Sequence, residues 1–455
     1  MDAVTPAAAE RDTERKVGVI FFPAFDWAIS PTHPEREERL LYAQDQLREE
    51  GVFDLPQVEE FKPRLAEHED IARTQFCIPS VEAIITESHR VAAGGAMRIG
   101  DLVMDGRVDR AYAMVRPPGH HARKLVHGNR GFCSINNEAI LIEHLREHHG
   151  VERIAVVDTD CHHGDGTQDI YWHDPEVLFI SVHQDGRTLF PGSGFVGELG
   201  GPNARGRTIN LPLPPGTADE GFLQVIERVV LPILADFQPE LVINSVGQDN
   251  HYTDPITHMN LSARGYARLN EMLAPDLCVL EGGYAIQGAL PYINLGILLA
   301  MAGLDTSGLR EPDFDPQKVA QDPRIPGYVD ELCRVALEHY HQPPPLEAEA
   351  DEGDLLGMKQ QVFYDTDNIL EQQLDAVRLC SQCAGLRRIE SVSTKNPSCL
   401  AIEIPHRACA DCRAAGQALI ERARADAEAE LLAIIDRPGR STGVEHKGER
   451  VSDGK

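Results

Sequence analysis

Short apolar runs alternate with longer amphipathic stretches over most of the chain. Runs rich in β-branched residues favour buried strands, and apolar residues spaced three and four apart favour helices. The strands predicted in this way are residues 17–22, 153–158, 177–183, 241–245 and 277–280, and the helices are residues 136–149, 218–237, 263–273 and 290–302. This order predicts an α/β fold, with a single large domain whose mostly parallel central sheet is flanked by helices.

The composition changes after residue 341. Residues 342–361 combine three consecutive prolines with many acidic residues, a composition that buries too little apolar surface to fold and so indicates a linker. We therefore expect a large domain over residues 17–341, a linker over 342–361, and a small Cys-rich unit with a helix over 362–436. The polar residues 1–16 and 437–455 are predicted to be disordered.

The charge balance narrows the class of partner. The 455 residues include 72 Asp and Glu against 43 Lys and Arg, a formal net charge of -29. Direct binding of nucleic acid is not expected, because phosphate neutralisation requires clustered basic residues. The negative electrostatic field of the protein suits a cationic partner better, such as a Lys-rich tail or a polyamine. The alternative is that the acidic residues serve only to keep the protein soluble.

The chain contains no apparent targeting or membrane segment. Residues 1–16 lack the uninterrupted apolar core of a secretory signal, and the longest apolar stretch, near residues 293–304, is far shorter than the ~20 residues that span a bilayer. We expect a cytoplasmic protein without membrane association. Its ten cysteines are then expected to be reduced.

Metal-competent side chains follow two of the predicted strands. Asp158, Asp160 and His162 point to one side of an extended chain, because side chains alternate with period two. Asp249 follows the strand at 241–245. Three protein ligands would leave one position of a zinc ion open, which is the catalytic arrangement. A solvated polar loop explains the first group equally well, and a turn or helix cap explains Asp249.

Two further features suit hydrolysis. His120 and His121 are adjacent in a loop stiffened by two prolines, and imidazoles titrate near neutrality, as proton transfer requires. Tyr284 follows a Glu-Gly-Gly sequence at the end of another strand, where a phenol could donate a hydrogen bond to an oxyanion. Packing alone would also explain Tyr284.

The C-terminal unit contains two Cys-x-x-Cys pairs, Cys380 with Cys383 and Cys409 with Cys412. Four thiolates at this spacing predict a structural zinc site, whose binding energy would help so short a unit to fold. A redox dithiol and unrelated thiols are the alternatives. Cys399 and His406 are spare candidate ligands.

Several of these segments, in a fixed order between residues 17 and 302, resemble motifs of the histone deacetylase family, including bacterial relatives that act on acetylpolyamines. The motifs are Arg-Pro-Pro-Gly-His-His-Ala at 116–122, Gly-Phe-Cys-Ser-Ile-Asn-Asn at 131–137, Asp-x-Asp-x-His-His-Gly-Asp-Gly-Thr at 158–167, Gly-x-Asp at 247–249 and Glu-Gly-Gly-Tyr at 281–284. The resemblance implies the arginase/deacetylase fold and makes residues 17–341 a deacetylase catalytic domain.

The resemblance also implies roles for individual residues. One catalytic zinc ion would be held by Asp160, His162 and Asp249. Asp158 would lie behind His120, and Asp165 behind His121, which is the candidate for the main acid and base. Tyr284 would clamp the acyl oxygen. A structural potassium ion is implied at Asp158, Asp160, His162, Ser181 and Val182.

A narrow substrate tunnel is implied by Gly131, Phe132 and Phe190. Arg36 resembles a family position near an internal acetate path. Gln248 and Leu189 depart from the residues common in the family, and we expect both to bear on selectivity.

The expected function is that of a zinc-dependent deacetylase, an amidohydrolase that removes acetyl or short acyl groups. The substrate is an acetyl-lysine side chain of a protein or a small acetylated amine such as a polyamine, and the sequence leaves this choice open. The alternatives are a catalytically idle scaffold that binds acyl amines, and a two-metal enzyme similar to the ureohydrolases on the same fold. A homo-oligomer, or a protein partner bound through the C-terminal unit, is compatible with this organisation.

Overall fold

The computed structural model describes residues 15–30, 32–312, 314–346, 350–425 and 429–446. The disorder predicted for residues 1–14 and 447–455 lies outside the described residues. No helix in these ranges is long and apolar enough to cross a membrane.

An eight-stranded parallel sheet forms the centre of the large domain, in the order β2-β1-β4-β10-β9-β6-β7-β8. Its strands are β1 (Val17–Phe22), β2 (Val58–Phe61), β4 (Arg110–Val115), β6 (Ile154–Asp158), β7 (Val177–Gln184), β8 (Thr208–Leu213), β9 (Leu241–Val246) and β10 (Leu277–Leu280). Two further short strands, β3 (Phe76–Cys77) and β5 (Leu125–Val126), pair with each other beside it. The predicted α/β class and parallel sheet are confirmed.

Helices cover both faces of this sheet. They are α1 (Glu38–Glu49), α2 (His68–Ala72), α3 (Val81–Ile84), α4 (Glu87–Met104), α5 (Asn137–His149), α6 (Asp165–Tyr171), α7 (Asp219–Val225), α8 (Leu231–Phe237), α9 (Ala263–Leu273), α10 (Leu290–Met301) and α11 (Ile325–His341). Alternate residues of β6 accordingly enter two hydrophobic clusters, with Val157 in one and Val156 in the other. Burial on both faces explains why these strands are continuous apolar runs.

Three strands of the sheet were not predicted. The edge strand β2 contains two glutamates, β8 contains Pro212, and β4 is interrupted by alanines, so none has a strong strand pattern. The single helix predicted over residues 218–237 is also corrected. It is divided by a π turn, Ile226–Val230, just before Pro232, whose missing amide proton removes one helical hydrogen bond.

A second, six-stranded sheet forms the C-terminal unit. It contains β11 (Leu355–Tyr364), β12 (Ile369–Arg378), β13 (Arg387–Ser393), β14 (Cys399–Ile404), β15 (Leu431–Asp436) and β16 (Ser441–His446), in that order. Neighbouring strands are antiparallel except β14 and β15, which are parallel and joined through helix α12 (Ala410–Ala425).

Two expectations about this unit are wrong at the level of secondary structure. Strand β11 begins inside the segment assigned to the linker, and β16 lies inside the segment assigned to the disordered tail. Both are edge strands with largely exposed side chains. Each is held by backbone hydrogen bonds to one neighbouring strand. Such pairing does not require a hydrophobic pattern, so the sequence shows little sign of it.

Candidate active site

Asp160, His162 and Asp249 lie together where β6 and β9 end. These strands are parallel neighbours, and their register places Asp158 opposite Ser245, so the loops that follow leave the sheet at the same height. The Nδ1 atom of His162 is 2.8 Å from Oδ2 of Asp249 and 3.1 Å from Oδ1 of Asp160. One donor atom from each of the three buried residues lies within 4.8 Å of the other two.

Two glycines leave the space that these carboxylates occupy. A Cβ atom on Gly247 would lie 2.1 Å from Oδ2 of Asp160, and one on Gly282 would lie 2.6 Å from Oδ2 of Asp249. The amide of Gly282 also donates a hydrogen bond to Asp160 at 2.8 Å. The glycines of the Gly-x-Asp and Glu-Gly-Gly-Tyr segments are therefore required by close approach.

The chemistry of this donor set fits a divalent metal ion. Burial and the neighbouring charge of Asp160 raise the pKa of Asp249, because two carboxylates that share a site away from water repel each other. A dication would remove that repulsion. Two carboxylate oxygens and one imidazole nitrogen suit zinc and leave one coordination position open.

The two adjacent histidines are each held by a carboxylate. Nδ1 of His120 is 3.0 Å from Oδ2 of Asp158, and Nδ1 of His121 is 2.8 Å from Oδ1 of Asp165. Burial and the charge of His120 together lower the pKa of His121 to about 3. At His120 the charges of Asp160 and Asp158 outweigh burial and raise the pKa to about 9. The two imidazoles therefore differ in protonation despite being neighbours.

Tyr284 lies above a buried arginine. The guanidinium of Arg39 is 4.9 Å from the centre of the Tyr284 ring and donates to the carbonyls of Gly283 at 2.6 Å and Glu281 at 2.5 Å. Burial raises the pKa of Tyr284 well above its usual range, so the phenol keeps its proton. Arg36, which by the resemblance would lie near an internal acetate path, is partly exposed and pairs with Glu38.

The residues of the predicted tunnel surround His121 and Tyr284. The Phe190 ring lies 5.0 Å from the His121 ring, and the Phe132 ring lies 5.8 Å from the Tyr284 ring at 89°. Phe190 is 38% exposed, so this wall reaches the surface. A Cβ atom on Gly131 would lie 2.4 Å from the His121 ring and 2.8 Å from Phe190, so any side chain there would clash with these two rings.

Sequence reasoning missed two groups that hold this site together. Glu281 accepts hydrogen bonds from the amides of Gly119 at 2.8 Å and His120 at 3.0 Å, which fixes the histidine loop. Arg130 donates to Asp165 at 3.0 Å. Glu281 belongs to the Glu-Gly-Gly-Tyr segment, and its presence in a buried apolar context was the available signal.

Gln248 does not line the tunnel. Its amide donates to the Tyr112 hydroxyl at 3.0 Å and to Asn294 at 2.8 Å, and the residue is fully buried. The expectation that Gln248 bears on selectivity is therefore wrong, because the side chain is directed into the core beneath the site.

The residues of the predicted potassium site also lie close together. Asp158 of β6 is opposite Ser181 of β7, and Val182 follows. Ser181 Oγ is 2.8 Å from Nδ1 of His183. The potassium ion itself stays a prediction.

The four cysteines of the C-terminal unit converge as a second cluster. The sulfur atoms of Cys380, Cys383, Cys409 and Cys412 all lie within 4.8 Å of one another, and all ten cysteines of the chain are free thiols. Cys399 packs instead in a separate hydrophobic cluster with Ile389. Neither Cys399 nor His406 belongs to the four-sulfur group.

A third group, Asp101, His144 and His149, was not predicted. Arg64 already occupies its edge, with one guanidinium nitrogen 3.4 Å from Asp101 and the other 3.2 Å from Nδ1 of His144. This positive charge makes the group an ion-pair network.

Comparison with known proteins agrees with the geometry. The histone deacetylase domain matches residues 77–294, a range that ends before β11. A probable deacetylase of Archaeoglobus fulgidus is 45% identical over 311 residues, which cover 62% of this chain and 85% of that protein. A histone deacetylase-like amidohydrolase of Pseudomonas aeruginosa is 37% identical, with 50% of this chain and 60% of that protein covered.

An acetylpolyamine amidohydrolase of Burkholderia pseudomallei is also 37% identical, over 43% of this chain and 57% of that protein. Among solved structures, the HDA15 HD domain superposes with a TM-score of 0.62 at 25% identity, covering 72% of this chain and 96% of that one. The extent of the archaeal match and the shared fold together establish that this chain belongs to the histone deacetylase family.

Proposed function

We propose that this hydrolase of the deacetylase family removes acetyl or short acyl groups from amines in a zinc-dependent reaction. One observation carries the proposal: the donor atoms of Asp160, His162 and Asp249 converge at a buried point. The His121 ring lies 6.0 Å from the His162 ring, and Nε2 of His120 lies 3.8 Å from Oδ1 of Asp160. Tyr284 is near enough to the same carboxylates for the charges of Asp249 and Asp160 to contribute to its raised pKa. A zinc ion held by the three residues would supply Lewis acidity toward the amide carbonyl and toward water.

His121 is the proposed acid and base. Its Nδ1 atom is occupied by Asp165, which leaves Nε2 to accept a proton from the attacking water and to return it to the departing amine. His120, bound to Asp158, supplies a positive charge beside the developing oxyanion. The two pKa values move apart, as expected for groups with different roles.

Tyr284 is the proposed oxyanion donor. Its protonated hydroxyl donates a hydrogen bond to the carbonyl oxygen as that oxygen gains negative charge. Arg39, beneath the ring and bound to the carbonyls of Gly283 and Glu281, keeps the phenol in place.

The substrate is proposed to be an acetyl-lysine side chain or a small acetylated amine. Phe132 and Phe190 would pack against the methylenes of an aliphatic amine and exclude bulk water. The net charge of -29 favours the approach of cationic molecules of either kind. Four cysteines are proposed to hold a second, structural zinc ion, and the free thiols suit the proposed cytoplasmic location.

Turnover of two substrates tests this function. The purified full chain, supplied with zinc, is assayed on a fluorogenic acetyl-lysine peptide and on acetylspermidine, and a Tyr284→Phe variant purified in parallel reports contaminating enzymes. We expect turnover of at least one substrate and inhibition by a hydroxamate. A protein that binds the hydroxamate but turns over no acyl amine is the idle scaffold, and two metal ions at the Asp160 site would support the ureohydrolase-like alternative.

A further inference from the structure

The C-terminal unit reaches the mouth of the proposed tunnel through the turn between β11 and β12. Oδ1 of Asp365 accepts a hydrogen bond from the amide of Gly131 at 2.9 Å, and Oδ2 of Asp367 accepts one from the amide of Asn129 at 2.6 Å. The two carboxylates thus hold the main chain on both sides of Arg130. They come from 234 and 238 residues further along the sequence.

The same unit binds the chain that leads to this loop. The Tyr364 hydroxyl donates to the carbonyl of Leu125 at 3.0 Å, and Ser391 Oγ lies 2.8 Å from Nε2 of His127. The side-chain amide of Asn396 donates to the carbonyl of His127 at 2.9 Å. With the two aspartates, alternate residues from Leu125 to Gly131 are held by the second unit, as along a strand.

Buried ion pairs fix the two units to each other. Nζ of Lys124 lies 2.6 Å from Glu403, and the guanidinium of Arg387 lies 3.2 Å from the carboxylate of Asp169. These side chains are nearly or fully enclosed. The second unit is therefore attached along a surface, and its hairpin turn has a defined position.

The loop that is held carries groups of the proposed active site. Arg130 binds Asp165, the carboxylate that orients His121, and lies 4.9 Å from the centre of the Phe190 ring. Phe132 follows Gly131 and has a φ of +69°, a left-handed conformation that a bulky residue seldom adopts. Such a conformation persists only where the surroundings enforce it.

We propose that Asp365 and Asp367 are positioning residues for the deacetylation, so that the C-terminal unit is part of the tunnel mouth. Their hydrogen bonds hold Gly131 against His121 and Phe190 and keep Phe132 in its left-handed conformation. The expected effect of these two residues on deacetylation rests on the proposed function, whereas their hydrogen bonds to the loop do not. The experiment therefore measures the contact and the catalysis separately.

The experiment compares three full-length variants with the wild type. Asp365→Ala with Asp367→Ala removes both acceptors, whereas Asp365→Asn with Asp367→Asn keeps an acceptor oxygen at each position. Glu421→Ala is the control, because Glu421 is exposed on α12 of the same unit. Amide hydrogen exchange of the peptide around residues 128–133, steady-state kinetics and thermal unfolding are recorded for each.

In the alanine variant, loop exchange is expected to become about tenfold faster or more, and kcat/KM to fall about tenfold, mainly through KM, since each lost hydrogen bond has a modest net value. The asparagine variant is expected to restore both to within about threefold, and the control to match the wild type. All four proteins should unfold within about 2 °C of one another, because the contacts lie at an exposed turn.

Unchanged loop exchange in the alanine variant would overturn the contact, whatever the activity. Faster exchange with unchanged kcat and KM would overturn the catalytic role, and an asparagine variant as impaired as the alanine variant would overturn the hydrogen-bond explanation. If the double alanine variant fails to fold, Asp365→Ala alone carries the same comparison. A wild type inactive on every acyl amine would contradict the proposed function, while the exchange result would still decide the contact.

Discussion

Two clusters of metal-competent side chains in this protein are both compact but have different surroundings. The donor atoms of Asp160, His162 and Asp249 lie within 4.8 Å of one another, as do the sulfurs of the four cysteines. The first cluster is bordered by the histidine pair and by the partly exposed Phe190. The second offers four thiols, enough to complete a tetrahedral zinc shell. Both clusters bring their ligand atoms together. A reactive metal site differs from a structural one in having fewer protein ligands and in having side chains beside it that can transfer protons.

The clusters also differ in how the chain brings them together. The cysteines form two local pairs in one small unit, the first in the turn after β12 and the second at the start of α12. Asp160 and Asp249 come from separate strands and meet only because β6 and β9 are neighbours in the sheet. The first arrangement depends on local spacing, and the second depends on the whole fold. Substitutions should therefore have separable effects on the two clusters.

The largest effect is expected from Asp249→Asn. The amide keeps the shape of the side chain but removes a charged ligand, so the proposed catalytic ion should be lost while the cysteine cluster keeps its own. We expect kcat to fall by about 10³-fold or more, which corresponds to roughly 4 kcal/mol. Kinetics with metal analysis per chain check this, and a variant that kept both metal equivalents and near wild-type turnover would contradict the assignment of Asp249.

Tyr284→Phe should have the next largest effect. It removes only the proposed oxyanion donor, so kcat should fall about 10²-fold to 10³-fold with little change in metal content. Tyr328→Phe is the matched control, because Tyr328 is 39% exposed and donates to the carbonyl of Pro212. Equal steady-state rates for both variants would exclude Tyr284 from the chemistry.

Disruption of the cysteine cluster should reduce activity less. Cys383→Ser with Cys412→Ser is expected to lose one metal equivalent, lower the melting temperature, and reduce kcat/KM by about tenfold through the loosened tunnel loop. Cys399→Ala, outside the cluster, should keep its metal. Retention of all bound metal by the double serine variant would show that the cluster is not a zinc site.

The smallest effect on activity is expected from Glu403→Gln, at the contact between the units. Its effect on the free energy of unfolding depends on pH. Burial alone would raise the pKa of Glu403, but Lys124, Arg437 and Arg387 outweigh burial and hold it at about 2, below the usual 4.5. The ionised carboxylate therefore stabilises the fold fully above about pH 4.5, and this contribution is lost as the pH falls toward 2.

The difference in unfolding free energy between wild type and Glu403→Gln should be constant between pH 5 and 7. It should then shrink by about 1.4 kcal/mol per pH unit below about 4.5. Urea unfolding at pH 7, 5, 4 and 3.5 measures it. A difference that stays constant to pH 3.5 would show that Glu403 is not charge-stabilised.

The sequence predicts the catalytic domain better than the C-terminal unit. Buried parallel strands such as β6 and β9 are continuous apolar runs, and the ligands follow their ends, so pattern and motif indicate the same residues. Strand β11 is largely exposed and contains Gly357 and three consecutive polar residues at 359–361, so its sequence has no clear strand pattern. Only pairing with β12 reveals it as a strand.

Contacts between residues far apart in the sequence could not be predicted for a different reason. Nothing near Gly131 indicates that Asp365 will bind its amide, and nothing near His120 indicates that Glu281 will hold its loop. These hydrogen bonds depend on how separate elements pack, and each partner alone is an ordinary acidic residue. The motifs locate the reacting groups, while the groups that orient them require the fold.

X-ray anomalous scattering at the zinc absorption edge, on crystals of the full chain grown with zinc, tests the central claim most directly. We expect one peak within coordination distance of Asp160, His162 and Asp249, and a second at the four cysteines. A peak at the cysteines together with none between the two aspartates and His162 would contradict that claim.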